Sequence, residues 1–297
     1  MRKPTYFFVA TLSMLVSLSL AFAACGRNTI QSSAGPAPSP ARDPVNQVYA
    51  LAWSPNGAEL ATGGKNGVIQ LWTSKNKTLL LSTEQRFGEV YALAWSPDGK
   101  YLAAGHNLGI GQVWDTTSHT LVAAFSNFTG EDEVTALAWS PHGQRLASAS
   151  TDRTVHVWDI LTGSPPLAYR GHQDEVWSIT WSPNGSSLAS GSWDGTVQVW
   201  DAQTGRTRLT YRGQSAGVWD ISWSPNGTYL ASASKDHTVQ IWEALTGKLL
   251  LTYRGHRSEV TKVSWSPDGK YIASVSDGGV VQLWNATTGK QAWLLHL

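Results

Sequence analysis

Three side chains of the kinds used in nucleophilic relays, His172, Ser190 and Asp194, stand close together in the sequence. In such a relay serine attacks a carbonyl, histidine takes its proton and aspartate orients the imidazole. The phrase that would present such a serine on a sharp strand-to-helix turn, G-x-S-x-G, does not surround Ser190, which lies in "LASGS". Apart from His172 and His256, the histidines His106, His119, His142, His156, His237 and His296 are scattered singly, without the paired spacing of metal ligands. Carboxylates are also single, so no acid/base pair can be nominated. Enzyme chemistry, cofactors and metals are therefore not expected.

Elements that could position these groups come from an internal repeat. "WSPNG" at Trp53 recurs, with its fourth letter varied, at Trp95, Trp139, Trp181, Trp223 and Trp265, in steps of 42, 44, 42, 42 and 42 residues. A second tryptophan follows each after 19 residues, at Trp72, Trp114, Trp158, Trp200, Trp242 and Trp284. In the fourth copy Val176–Trp181 alternates as a strand, Ser182-Pro183-Asn184-Gly185 is a turn, and Leu188–Ser192 is a second strand. Val197–Trp200 and Leu209–Tyr211 complete four short antiparallel strands. One such sheet cannot bury both faces alone, so six copies must pack face to face around an axis, with the twelve repeat tryptophans as core.

The N-terminus differs. Arg2 and Lys3 lead an apolar run from Tyr6 to Ala24, which ends "AFAACG" at Gly26. A cationic lead, apolar middle and small-residue end mark an export signal. The last five of those residues resemble the lipobox of bacterial lipoproteins, which implies that Cys25 is lipidated as the first residue of the mature chain. Phe22 departs from that pattern. Cys25 is the only cysteine, and one thiol cannot form an internal disulfide. Cleavage near Ala23 to a secreted form, and an uncleaved anchor, are the alternatives. The assignment is a signal over 1–24, a Pro/Ser/Gly-rich tether over 25–44 with prolines at 36, 38 and 40, and a repeat domain over 45–297.

The roughly 42-residue four-strand unit, "TVQVWD" at 196–201 and "GH" at 171–172 resemble the WD40 β-propeller family. The resemblance implies an all-β, six-bladed propeller of four-stranded antiparallel blades. It also implies that His172, Ser190, Asp194 and Trp200 form a buried structural tetrad that satisfies the indole N–H, rather than a catalytic row. The other copies depart from it. Gln214 replaces the histidine in the fifth, Gly278 the aspartate in the sixth, and Ala104 and Leu108 stand in the second. With Gly111 at a strand position, blade two is expected to be the least stable. The sixth copy supplies its own last strand, Gln291–Leu295, so closure is expected by packing of blade one on blade six, an open ring being the alternative.

Function is placed on the rim formed by the turns between second and third strands and the loops that enter each blade. Tyr49, Tyr91, Trp177 and Trp219 lie there, four places before the strand tryptophans. Trp193 and Lys235 occupy turns, and Phe128 the one enlarged loop. Aromatics among polar neighbours resemble binding hot spots, the alternative being that these rings pack on neighbouring blades. With 22 basic against 21 acidic residues, neither nucleic acid nor a polybasic membrane patch is indicated. The expectation is a non-catalytic, lipid-anchored, extracytoplasmic scaffold for a protein or peptide. The alternatives are a small-ligand or glycan binder or enzyme using the central channel, or the sensor part of a larger assembly.

Overall fold

A computed structural model describes residues 47–83, 87–126, 132–160, 162–164 and 166–296. All 24 described elements are strands, arranged as six four-stranded antiparallel sheets, each built from consecutive strands. Blade one holds β1 (Val48–Trp53), β2 (Glu59–Gly64), β3 (Gln70–Thr73) and β4 (Leu79–Ser82). Blade two holds β5 (Val90–Trp95), β6 (Tyr101–His106), β7 (Gly111–Asp115) and β8 (Thr120–Phe125). Blade three holds β9 (Val134–Trp139), β10 (Arg145–Ser150), β11 (Val155–Asp159) and β12 (Leu167–Tyr169). Blade four holds β13 (Val176–Trp181), β14 (Ser187–Ser192), β15 (Val197–Asp201) and β16 (Thr207–Tyr211). Blade five holds β17 (Val218–Trp223), β18 (Tyr229–Ser234), β19 (Val239–Glu243) and β20 (Leu249–Tyr253). Blade six holds β21 (Val260–Trp265), β22 (Tyr271–Ser276), β23 (Val280–Asn285) and β24 (Gln291–His296).

The repeated turn phrase works as its residues require. In blade four Gly185 takes φ +69°, its N–H donates to the Ser182 carbonyl at 2.8 Å, and Ser182 Oγ accepts the Ser187 N–H at 3.0 Å. A positive φ is cheap only for glycine, which is why the phrase ends there. Gly111 is likewise required by its surroundings. A Cβ there would lie 2.0 Å from Phe125 Cζ, so the weak strand residue makes room for a large ring.

Neighbouring blades meet in one pattern. From blade two to blade six, the first valine of the innermost strand drops onto a small residue of the preceding blade. A Cβ on Gly63 would lie 2.5 Å from Val90 Cγ1, on Gly105 2.5 Å from Val134 Cγ1, and on Gly191 2.8 Å from Val218 Cγ1. Five apolar clusters result, one for each interface from blades one and two to blades five and six. Val90, Val134, Val176, Val218 and Val260 are each 0% exposed.

Closure differs from the expectation. Blade six does complete itself with β24, which pairs with β23. Each innermost strand packs on the next, β1 on β5, β5 on β9 and so on to β17 on β21, but β21 and β1 make no comparable contact. Val48, the blade-one counterpart of those five buried valines, is 51% exposed. The seat that would receive it is filled, because blade six carries Val275 where the other blades have glycine or alanine. Tryptophan burial varies along the whole ring rather than at the seam alone. Trp114, Trp139, Trp181, Trp200, Trp223, Trp242 and Trp284 are buried, whereas Trp53, Trp72, Trp95, Trp158 and Trp265 are only partly so.

Candidate functional site

All six innermost strands begin with a break in register that leaves out the residue four places before the tryptophan. In blade four Val176 faces Ser192 and Ser178 faces Gly191, so Trp177 is bulged out of the ladder. The same offset falls at Tyr49, Tyr91, Trp219 and Thr261, and at Thr135 in blade three. A bulge re-aims its side chain, and here it turns those residues toward the rim. Alternation along the sequence cannot reveal this, because it assumes an unbroken pleat.

Three of the bulged and turn residues form one aromatic cluster. Trp177 and Trp193 stack with ring centres 5.4 Å apart, while Trp219 meets them edge-on at 5.1 and 5.2 Å. The Trp177 indole donates to Glu175 at 3.1 Å, and the Trp219 indole reaches across to Glu259 of blade six at 3.0 Å. Lys235 lies over the Trp193 ring at 5.3 Å and within 3.8 Å of Glu259. Trp177 and Trp219 are 7% and 8% exposed, so they support the cluster, and Trp193 with exposed Lys235 gives it an accessible face. A cation above an indole face is a favourable pairing, stronger as water is excluded.

A smaller pair sits on blades one and two. Tyr49 and Tyr91 are 5.5 Å apart, and the Tyr91 hydroxyl donates to Glu89 at 3.1 Å. Burial, then the charges of Glu133 and Glu89, raise the Tyr91 hydroxyl well above the usual phenol range. Phe128 and Cys25 lie outside the described residues.

The four tetrad residues do come together. Trp200 donates to Ser190 Oγ at 3.3 Å, Ser190 meets His172 Nε2 at 2.7 Å, and His172 Nδ1 meets Asp194 at 3.0 Å. Burial raises the Asp194 carboxyl, but bonds from His172, Thr196 and the Gln173 N–H outweigh it and hold the group well below the usual carboxylate range. Ser190 and Trp200 are both 0% exposed, so the hydroxyl that a hydrolase would present is spent on an indole. Where the sequence departs from the tetrad, the bonds change as well. Ala104 leaves the Trp114 indole N–H buried without an acceptor, and Gly278 leaves His256 Nδ1 buried without one. Buried polar atoms without partners cost about 1–3 kcal/mol each, a cost that falls on blade six as well as on blade two. His106 partly compensates there, contacting the Gly88 carbonyl at 3.2 Å and Gln112 at 3.1 Å.

A second network, not read from the sequence, joins blades rather than bracing one. Tyr211 of blade four stacks on Trp242 of blade five at 4.3 Å and donates to Gln240 at 2.7 Å. Tyr169 repeats this on Trp200 and Gln198, as does Tyr253 on Trp284 and Gln282. The signal was present in the 42-residue spacing of these tyrosines. Toward the axis, Asp220 links three blades by accepting from Ser178 Oγ at 2.9 Å and the Val263 N–H at 3.1 Å. Among the described residues no cluster of His, Cys, Asp and Glu could hold a metal ion.

Six four-stranded sheets around an axis, one of them braced by a complete His-Ser-Asp-Trp row, define a β-propeller. Residues 134–293 match the model of the second β-propeller of the echinoderm microtubule-associated protein, and residues 43–73 and 78–115 match the WD domain, G-beta repeat. The chain belongs to the WD40-type β-propeller family. No curated protein matches it.

Proposed function

We propose that this propeller is a non-catalytic scaffold that binds a protein or peptide on the bulged rim, held outside the cytoplasmic membrane by lipidated Cys25. WD40 propellers generally serve as interaction scaffolds, and the observation that carries the rim assignment is the Trp177–Trp193–Trp219 cluster under Lys235. Three indoles and an ion pair on adjoining blades are more than the repeat needs for its core. Trp and Tyr dominate interface energetics because a large rigid surface is buried at low entropy cost. Glu175 and Glu259 give the patch acidic acceptors beside one cation, which suits a polar segment carrying an apolar anchor. The tether reading rests on the order of residues at 1–26 and on the single cysteine.

Both halves are tested on the full chain. Radiolabelled palmitate enters the wild type and not Cys25→Ala, and equal labelling removes the tether. Crosslinking at membranes is then compared between wild type and a Trp193→Ala/Lys235→Glu variant, which leaves the buried Trp177 and Trp219 in place. Loss of at least about tenfold in captured partner, about 1.4 kcal/mol, is expected. Undiminished capture refutes the rim.

A further inference from the structure

On the rim opposite the indole cluster, a groove recurs between successive blades. It lies between the tryptophan that ends an innermost strand and the residue six places after the equivalent tryptophan of the preceding blade. Two of these grooves hold an arginine of the chain itself. Between blades three and four, Arg145 lies over the Trp181 ring at 4.9 Å and donates to the Ala202 carbonyl at 2.8 Å. Between blades four and five, Arg208 donates at 2.8 Å to the Oγ of Ser187, the counterpart of Arg145, and pairs with Asp201.

Between blades five and six neither arginine is present. Tyr229 takes the place of Arg145 and Leu250 that of Arg208, and a cavity of about 380 Å³ lies there. Trp265 and Ala286, the counterparts of Trp181 and Ala202, line it. Tyr229 runs nearly parallel to Trp265 with ring centres 6.5 Å apart, too far to cover that ring as Arg145 covers Trp181. Asp268 also lines the cavity, where the arginine-filled grooves have Asn184 and Asn226. Bonds from Ser266 Oγ and the Lys270 N–H hold its carboxyl below the usual carboxylate range, so it is charged at neutral pH. The Lys270 ammonium lies 3.6 Å from it and is 72% exposed, a kind of surface pair that contributes little. The groove between blades two and three lacks this charge, because His142 stands at that place.

We propose that the groove between blades five and six binds an external guanidinium group of the arginine type, laid on Trp265 and held by Asp268 and the Ala286 carbonyl. The chain thus takes from outside what Arg145 supplies from within one groove earlier in the ring. A planar guanidinium both stacks on an indole face and forks onto a carboxylate, which a lysine ammonium does not. The site is separate from the rim proposed above and does not depend on it.

The test titrates N-acetyl-L-arginine methylamide into the isotope-labelled full chain and follows the Trp265 indole N–H by NMR, assigned by its loss in Trp265→Phe. That N–H is buried with no acceptor among the described residues, so its shift reports the surroundings of the ring. A saturable shift with a Kd of about 1 mM is expected for so small a ligand. Asp268→Asn keeps the turn residue already used at Asn184 and Asn226, and should weaken binding at least about tenfold. Tyr229→Arg copies Arg145 and should fill the groove from within, with a loss of at least about tenfold. The capped lysine analogue should bind at least about fivefold more weakly. Spectra otherwise unchanged show that each variant is folded. Free L-arginine separates the sources: affinity equal to that of the capped form assigns the site to the free amino acid, and weaker affinity assigns it to an arginine within a chain. Absence of a saturable shift overturns the proposal, as does undiminished binding to Asp268→Asn or Tyr229→Arg, or equal binding of the lysine analogue.

Discussion

The interface between blades four and five and the seam between blades six and one are drawn from one repeat but packed differently. At the first, Val218 fills the seat at Gly191, Tyr211 stacks on Trp242, and both rings are covered. At the second, Val48 is exposed, Trp72 has no stacked tyrosine among the described residues, and the corresponding outer residue of blade six is Leu295. The difference teaches that the repeat supplies a sheet, while the contact is decided by a few side chains that must be small on one sheet and branched on the next. Blade six carries Val275 where the other blades have glycine or alanine, and tightly packed interiors do not absorb two extra methyl groups without movement.

The sharpest way to break that comparison is to place the same charge in both valine sites. Val218→Asp buries an unpaired carboxylate and should cost about 4 kcal/mol, enough to unfold much of a marginal domain. Val48→Asp should change stability by no more than about 0.5 kcal/mol. Urea midpoints of the two variants decide it, and equal losses would mean that the seam is packed like the other interfaces.

A second contrast removes a tryptophan from each side. Trp200→Ala deletes a ring that is 0% exposed, stacked by Tyr169 and bonded to Ser190, and should cost about 3–5 kcal/mol. Trp72→Ala, partly exposed and bonded to Thr62 at 3.2 Å, should cost about half as much. Thermal unfolding of the pair gives the ratio.

The smallest effect concerns the tetrad of blade six. His256 Nδ1 is buried without a partner, and burial pushes the imidazole down to about 4. An unfolded histidine titrates near about 6.5, so below that pH the unfolded chain binds a proton that the native chain refuses. Stability is therefore lost as pH falls from about 6.5 to about 4. Gly278→Asp supplies the missing carboxylate; its Cβ would lie 3.2 Å from Ser258 Oγ, a hydroxyl that can rotate aside. The variant should gain about 1 kcal/mol near neutral pH and lose less on acidification across that window. Lowered His106 and His156 are common to both chains, so the difference between two pH–stability curves isolates His256. Parallel curves would mean that no bond to His256 forms.

Much of the fold was legible because turn chemistry and alternation repeat six times. Val176–Trp181 is a strand with the ends read from sequence, and the tetrad of His172, Ser190, Asp194 and Trp200 is joined as the family resemblance implied. The candidate rim was legible only in part. Residue spacing placed Trp177, Trp193 and Trp219 on it, but not the bulge that aims Trp177 and Trp219, nor their stacking into one cluster. Register breaks depend on the partner strand, and ring contacts depend on blades 42 residues away.

The amino-acid order alone was enough to set the unit: four strands, their turns and, in blade four, the buried row, all fixed by interactions spanning a few dozen residues. Only the tertiary structure decided how units meet. It turned Trp177 and Trp219 inward beneath Trp193, and it left Val48 uncovered at the one seam where Val275 fills the seat. The physical reason is that face-to-face packing depends on the volumes of two side chains brought together by the whole ring, which local pattern does not encode.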